Sequence, residues 1–212
     1  MHIPDGLLPP SIAIAGYGAT GGITWYSLTQ INRSKNSQEQ IPKASLLTAA
    51  FFLASLIHIP LPPTSVHLIL NGLMGAILGY YAFPAILIGL FFQAVMFQHG
   101  GLSTLGINAI IMGLPALLAH HIFHLRHRLG HNKPSWRGIC AFLAGFSGIA
   151  LGASLYTLLV ITNISSDINA QAEIAAVSAS LVAYGILAIL EGIFTVMLVS
   201  FLQQVKPELL EN

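Results

Sequence analysis

Residues 138–162 read GICAFLAGFSGIALGASLYTLLVIT, a run without one charged side chain. At about 1.5 Å per helical residue, such a run crosses a hydrocarbon layer of about 30 Å. Backbone facing lipid must satisfy its own hydrogen bonds, so a helix is the expected form. No alternating pattern of the barrel type appears. Similar runs recur outward from this one, and they predict helices near 9–30, 45–58, 66–82, 84–98, 104–124, 138–162 and 175–204. The expected fold class is an all-α integral membrane protein, a bundle of about seven transmembrane helices. Residues 1–212 are read as a single transmembrane domain, with a tight turn near Tyr81-Ala82-Phe83 joining the third and fourth helices.

Composition agrees. The 212 residues are 55% hydrophobic and 7% charged, where a soluble domain carries about 25% charged residues. The single cysteine, Cys140, excludes an internal disulfide and any site built on several thiolates. The opening MHIPDGLLPP lacks the basic region and small-residue cleavage site of a signal peptide. Pro84 opens the fourth span and Pro134 precedes the sixth, positions where a missing amide donor costs little.

Orientation follows from Lys and Arg in short loops. Arg33, Lys35 and Lys43 lie between spans one and two, Arg126, Arg128, Lys133 and Arg137 between five and six, and Lys206 after seven. With seven spans all of these fall on one side, read as the cytoplasm. The N-terminus is then outside and the C-terminus inside. Trp25 and Tyr26 read as anchors at the inner boundary.

That topology gives meaning to Met1-His2. The α-amino group, the His2 amide nitrogen and the His2 imidazole can close around one metal ion in small fused chelate rings. One further imidazole completes a square of nitrogens, a geometry that suits Ni²⁺ or Cu²⁺ and accepts Co²⁺. Histidine at position 2 is too large for removal of the initiator methionine, so the amine is expected to persist. His67, in Thr64-Ser65-Val66-His67, is the candidate fourth ligand, with Thr64 or Ser65 able to cap the helix behind it. Topology brings His2, His67 and His99 to the outer face. Gln98-His99-Gly100-Gly101-Leu102-Ser103-Thr104-Leu105-Gly106-Ile107-Asn108 would let backbone approach a ligand closely, and Asn108 could hydrogen-bond a ligating group or a bound water. The plainer accounts are an ordinary chain start, a wet interfacial histidine and a flexible helix connector.

Together, Met1-His2-Ile3-Pro4-Asp5-Gly6, Thr64-Ser65-Val66-His67 and His99-Gly100-Gly101-Leu102-Ser103-Thr104-Leu105-Gly106 resemble one family across essentially the whole chain. It is the substrate-binding membrane subunit of energy-coupling-factor cobalt and nickel importers, the CbiM/NikM family. The resemblance implies a seven-helix bundle whose N-terminus plugs its external side in a bacterial or archaeal cell membrane. It implies metal ligation by Met1 through its amine, His2 through amide and imidazole, and His67 through imidazole. His99 and Asn108 are supporting residues. The implied cargo is Co²⁺ or Ni²⁺, with no catalytic cofactor. The implied partners are a transmembrane coupling protein, two cytosolic ATP-binding cassette ATPases and a small auxiliary membrane subunit; no nucleic acid is expected. The chain has no G-x-x-x-x-G-K-[ST] phosphate loop, and as it ends at Asn212 the auxiliary subunit is expected to be a separate chain.

Other features admit competing readings. Ala15/Ala19 and Gly18/Gly22 in the first span allow close packing against the coupling protein or another helix. His120, His121, His124, His127 and His131 suggest an inner metal relay, or a membrane-embedded metalloenzyme using His120-His121-x-x-His124. Arg126 and Arg128 interleave them, which favours a polar helix end. Glu191, mid-way along the last span, is a functional candidate by position or a hydrogen-bonded core group. His58 is expected to cap the outer end of span two. A channel would need a polar path, and Glu191, Asn71, Gln93 and Asn108 are its few candidates.

Overall fold

Proline opens several of the helices. Pro10 begins α1 (Pro10–Arg33), Pro42 sits in the first turn of α2 (Ile41–Ala54), and Pro134 begins α7 (Pro134–Thr162). In a first turn the missing N–H would have had no partner anyway. The computed structural model describes residues 1–34, 37–61, 64–130, 134–163 and 170–210. Lys35, Pro62, Pro63, His131, Lys133, Ser165, Ser166, Asp167 and Asn169 lie outside them. The remaining helices are α3 (Asn71–Leu78), α4 (Ala82–Phe97), α5 (Leu105–His124), α6 (Arg126–Gly130) and α8 (Ala170–Val205).

The chain is predominantly helical, as its composition requires. Among the described residues four stretches are long and apolar enough to cross a membrane: Asn71–Phe97, Leu105–Arg128, Pro134–Thr162 and Val177–Val205. The first holds two helices. Gly79 breaks it at a φ of 60°, with a 3-10 turn over Gly79–Tyr81, close to the turn expected from the sequence. The preceding α3 is only 8 residues long and buried throughout.

One expectation fails. Of residues 58–67, read as the last residue of a second helix, a connector and the start of a third, 58–61 and 64–67 form paired antiparallel strands instead. Strand β1 (His58–Leu61) pairs with β2 (Thr64–His67), with His58 opposite His67 and Leu61 opposite Thr64. The cause is local chemistry: Pro60, Pro62 and Pro63 deny amide donors to a helix, and Ile59, Thr64 and Val66 favour extended backbone. His58 therefore opens a strand instead of capping a helix. Thr64 and Ser65 lie in β2, not at a helix start. The helix behind His67 starts at Asn71, after Leu70 in the left-handed region at a φ of 58°.

Helix α5 packs against α1, α3, α4 and α7, and α7 packs in turn against α3 and α8. Close approach depends on glycine. A Cβ on Gly148 would lie 2.6 Å from the Cα of Gly72, so α7 and α3 touch backbone to backbone. Without a hydrophobic driving force between helices in lipid, such contacts supply the attraction. Large apolar side chains point outward, among them Ile14, Trp25, Leu46 and Val182, as lipid contact requires. On α1, Gly16 packs on Ile107, while Gly18, Gly21 and Gly22 meet nothing within 4 Å.

Candidate metal site

The first residues run into the bundle. Met1 and Ile3 are buried, and Ile3 is held by both of its backbone groups. Its N–H donates to Asn108 Oδ1 at 2.9 Å, and its carbonyl accepts from Asn108 Nδ2 at 3.0 Å and from Thr104 Oγ1 at 2.6 Å. Two residues on, Asp5 Oδ1 accepts from the Ser103 N–H at 2.8 Å and its hydroxyl at 2.5 Å. The loop that follows α4 thus forms a cradle around residues 1–5. It turns through Gln98 and Gly100, at φ 52° and 83°, and Gly101 lies where a Cβ would collide with Asp5.

The terminal amine donates to the Tyr184 hydroxyl of α8 at 2.6 Å. Burial pulls its pKa from the ordinary 8.0 down to about 5, so the docked amine is neutral at pH 7. His2 follows. Its Nε2–H donates to Gln93 Oε1 of α4 at 2.9 Å, which leaves the lone pair on Nδ1. That Nδ1 is buried with no hydrogen-bond partner. Burial holds the His2 imidazole well below its usual pKa, reinforced by the Met1 amine, His99 and His67.

His67 closes β2 and is buried. Its Nδ1–H donates to the Leu68 carbonyl at 3.1 Å, while Nε2 lies 3.4 Å from His99 Nε2. The His2 and His67 ring centroids are 5.1 Å apart, and those of His2 and His99 4.1 Å. One ligand atom from each of these three histidines falls within 4.8 Å of the others. Among the described residues this is the one group of three ligand-type side chains so arranged. Three imidazoles with ligand atoms at this spacing suit a borderline divalent cation.

Sequence reading named Met1, His2, His67, His99 and Asn108, and the fold brings all five together. Asn108 reaches the backbone of Ile3, so it anchors the N-terminal segment instead of a ligating group. Sequence reading missed Tyr184 and the service of Gln93 to His2; Gln93, a polar residue deep in an apolar helix, carried the available signal. Asn71 and Glu191, the other two candidates for a polar path, are engaged with backbone. Asn71 Nδ2 donates to the Met112 and Gly148 carbonyls at 3.2 and 3.0 Å, and Glu191 accepts from Ile69 and Leu70. All four candidates for a polar path are thus committed to fixed partners. At the other end of α5, the His120 and His124 rings are 5.6 Å apart and the His124 and His127 rings 4.8 Å. Arg126 beside them lies 3.8 Å over the Phe123 ring and donates to the Leu210 carbonyl at 2.6 Å.

Residues 2–209 match the family described as "Cobalt uptake substrate-specific transmembrane region". Over 162 residues the chain is 37% identical to a putative metal transport protein of Haemophilus influenzae, covering 75% of this chain and 76% of that one. It is 31% identical over 158 residues to the fused nickel transport protein NikMN of Rhodobacter capsulatus, covering 73% of this chain and 45% of that longer one. In fold it matches the crystal structure of a truncated transition metal transporter, with a TM-score of 0.77 at 22% identity, covering 97% of this chain and 99% of that one.

Proposed function

Because the chain belongs to the cobalt uptake substrate-specific transmembrane family, CbiM, we propose that it is the substrate-capture subunit of an energy-coupling-factor importer for cobalt or nickel ions. Its family is one of membrane transport proteins, not enzymes. The ligands in this reading are the Met1 amine, the amide and Nδ1 of His2, and Nε2 of His67. The observation that carries it is the buried, partnerless Nδ1 of His2 beside an amine kept neutral by burial. Only Nδ1 can reach back to close a small ring with the amide of its own residue. Gln93 engages the other nitrogen and so selects this tautomer. His67 is oriented the opposite way, with Nδ1 on Leu68 and Nε2 turned inward. His99 flanks the square as a supporting residue.

The transmembrane arrangement in this reading has seven spans. α3 is a short inward crossing that returns through α4, which places His2, His67 and His99 outside and the Lys/Arg-bearing loops in the cytoplasm. The C-terminus is cytoplasmic. Partners are a transmembrane coupling protein and two cytosolic ATPases, since the chain lacks a phosphate loop of its own. A small auxiliary membrane subunit fits the fused NikMN relative, in which additional sequence accompanies the segment matched here. The open small-residue face of α1, at Gly18 and Gly22, suits a closely packed partner helix. Release of the ion requires that the coupled machinery distort the square.

The test is calorimetric titration of Ni²⁺ and Co²⁺ into the purified chain and into its His2→Gln variant. The substitution removes the imidazole from the chelate, leaves the amine and the amide in place, and is still too large at position 2 for removal of Met1. Tight binding is expected to disappear in the variant. Unchanged binding overturns the assignment.

A further inference from the structure

The two halves of the metal site stand on different segments: Met1 and His2 on the N-terminal plug, His67 on the hairpin. Both segments are tied to one helix, α8. The Met1 amine is tied at Tyr184, and the backbone just past His67 is tied at Glu191, about two helical turns further along. At Glu191 the contact is a clasp. Oε1 accepts from the Ile69 N–H at 2.5 Å and the Leu70 N–H at 3.0 Å, and Oε2 accepts from the Leu70 N–H at 2.9 Å. The left-handed Leu70 turns both amides toward the same carboxyl group. Glu191 itself is firmly seated. Its carbonyl accepts from Thr195 Oγ1 at 2.7 Å, and a Cβ on Gly145 of α7 would lie 2.8 Å from that carbonyl. Neither Tyr184 nor Glu191 touches the ion in the proposed ligand set.

We propose that Tyr184 and Glu191 are positioning residues that set the separation between the N-terminal chelate and His67, with α8 as the spacer between them. The inference rests on Met1, His2 and His67 being the ligands. Glu191 acts through His67: its clasp on Ile69 and Leu70 fixes the exit of β2 and, with it, the direction in which Nε2 points. Tyr184 acts on the other half, by holding the amine. A helix with a grip on both halves is also the element whose displacement would pull them apart.

A merely structural Glu191 would satisfy the same two amides, so the test must separate the roles. Ni²⁺ alone is titrated into the full chain, the Glu191→Gln, Tyr184→Phe and His67→Ala variants, and two double variants. Affinity, the ligand-field absorption band of bound Ni²⁺ and the thermal melting point are recorded for each. Glutamine keeps one acceptor oxygen but turns an NH₂ toward the amides. Glu191→Gln is expected to weaken binding on the order of ten-fold and to move the absorption band toward that of His67→Ala. In the His67→Ala background it should change neither quantity. Tyr184→Phe should weaken binding with or without His67.

An equal loss from Glu191→Gln in both backgrounds assigns it a general structural role and overturns the proposal. So does full affinity in Glu191→Gln when His67→Ala binds weakly. Full affinity in His67→Ala overturns the ligand assignment itself, and the positioning with it. If the melting point shows that Glu191→Gln does not fold, Glu191→Asp, which withdraws the carboxyl by one methylene, replaces it under the same criteria.

Discussion

The side-chain amide of Asn108 pairs with the backbone of Ile3 as a neighbouring strand would, accepting from its N–H at 2.9 Å and donating to its carbonyl at 3.0 Å. Asn108 is fixed in α5, so the N-terminal segment gains a rigid template without joining a sheet. Each buried backbone group left unpaired costs about 1–3 kcal/mol. Asn108→Ala should therefore release residues 1–5, seen as faster amide exchange there, and weaken nickel binding at least ten-fold. Asn108→Asp keeps the acceptor and loses the donor, and should fall between. Unchanged exchange in Asn108→Ala would show that Thr104 alone holds the segment.

Gly101 makes an independent test of the cradle. A Cβ there would lie 2.5 Å from Asp5 Cγ and 2.6 Å from the Asp5 nitrogen. Gly101→Ala should push the N-terminal segment outward and abolish tight metal binding. The melting point of the helical bundle should barely move, because the helix contacts lie elsewhere. A variant that binds normally would mean that the plug tolerates a shift of this size.

Acid should undock the N-terminus. The amine has a pKa of about 5 when docked and 8.0 otherwise, so between those values the undocked state binds more protons. Docking is strongest above about pH 8, weakens as pH falls through that window and is lost near pH 5. His2, whose pKa is also lowered, works in the same direction. Nickel affinity measured from pH 8 to pH 5 should fall steadily, and a flat profile would contradict the buried amine. At pH 7, calorimetry in two buffers of different ionisation enthalpy should show about one proton released per ion, from the His2 amide.

Gln93 is expected to matter for a related reason. It holds the His2 ring by Nε2, which leaves Nδ1 unprotonated for the chelate. Residues that orient a ligating histidine in this way typically contribute 10–100-fold in affinity. Gln93→Leu should lower nickel affinity within that range. An affinity equal to that of the parent chain would mean that the chelate selects the tautomer unaided.

Much of the site was legible because topology is a strong constraint. In the sequence, positively charged loops and helix-length apolar runs lead to the expectation that His2, His67 and His99 share one face, and their rings do meet. What escaped were features set by local backbone. The sequence reads as a plain connector between helices ending at 58 and starting at 66, yet Pro60, Pro62 and Pro63 with β-branched neighbours favour paired strands there. By sequence Asn108 suits a ligating group or a bound water, because a sequence cannot reveal that Ile3 offers it both a donor and an acceptor. Tyr184 left no trace, since an aromatic residue in an apolar helix reads as packing. Glu191 stands out in the sequence by its cost in lipid, but its partners depend on the left-handed conformation of Leu70.

The hairpin carries one more consequence. Side chains alternate between the two faces of a strand, so the direction of His67 is a question of parity. On a helix, adding a residue would swing a ligand through roughly a quarter of a turn. On β2, slipping the pairing of His58 with His67 by one position turns the imidazole to the opposite face, and slipping by two restores it. In the proposed ligand set the fourth corner is thus held by a binary register, in which small displacements are either corrected or complete.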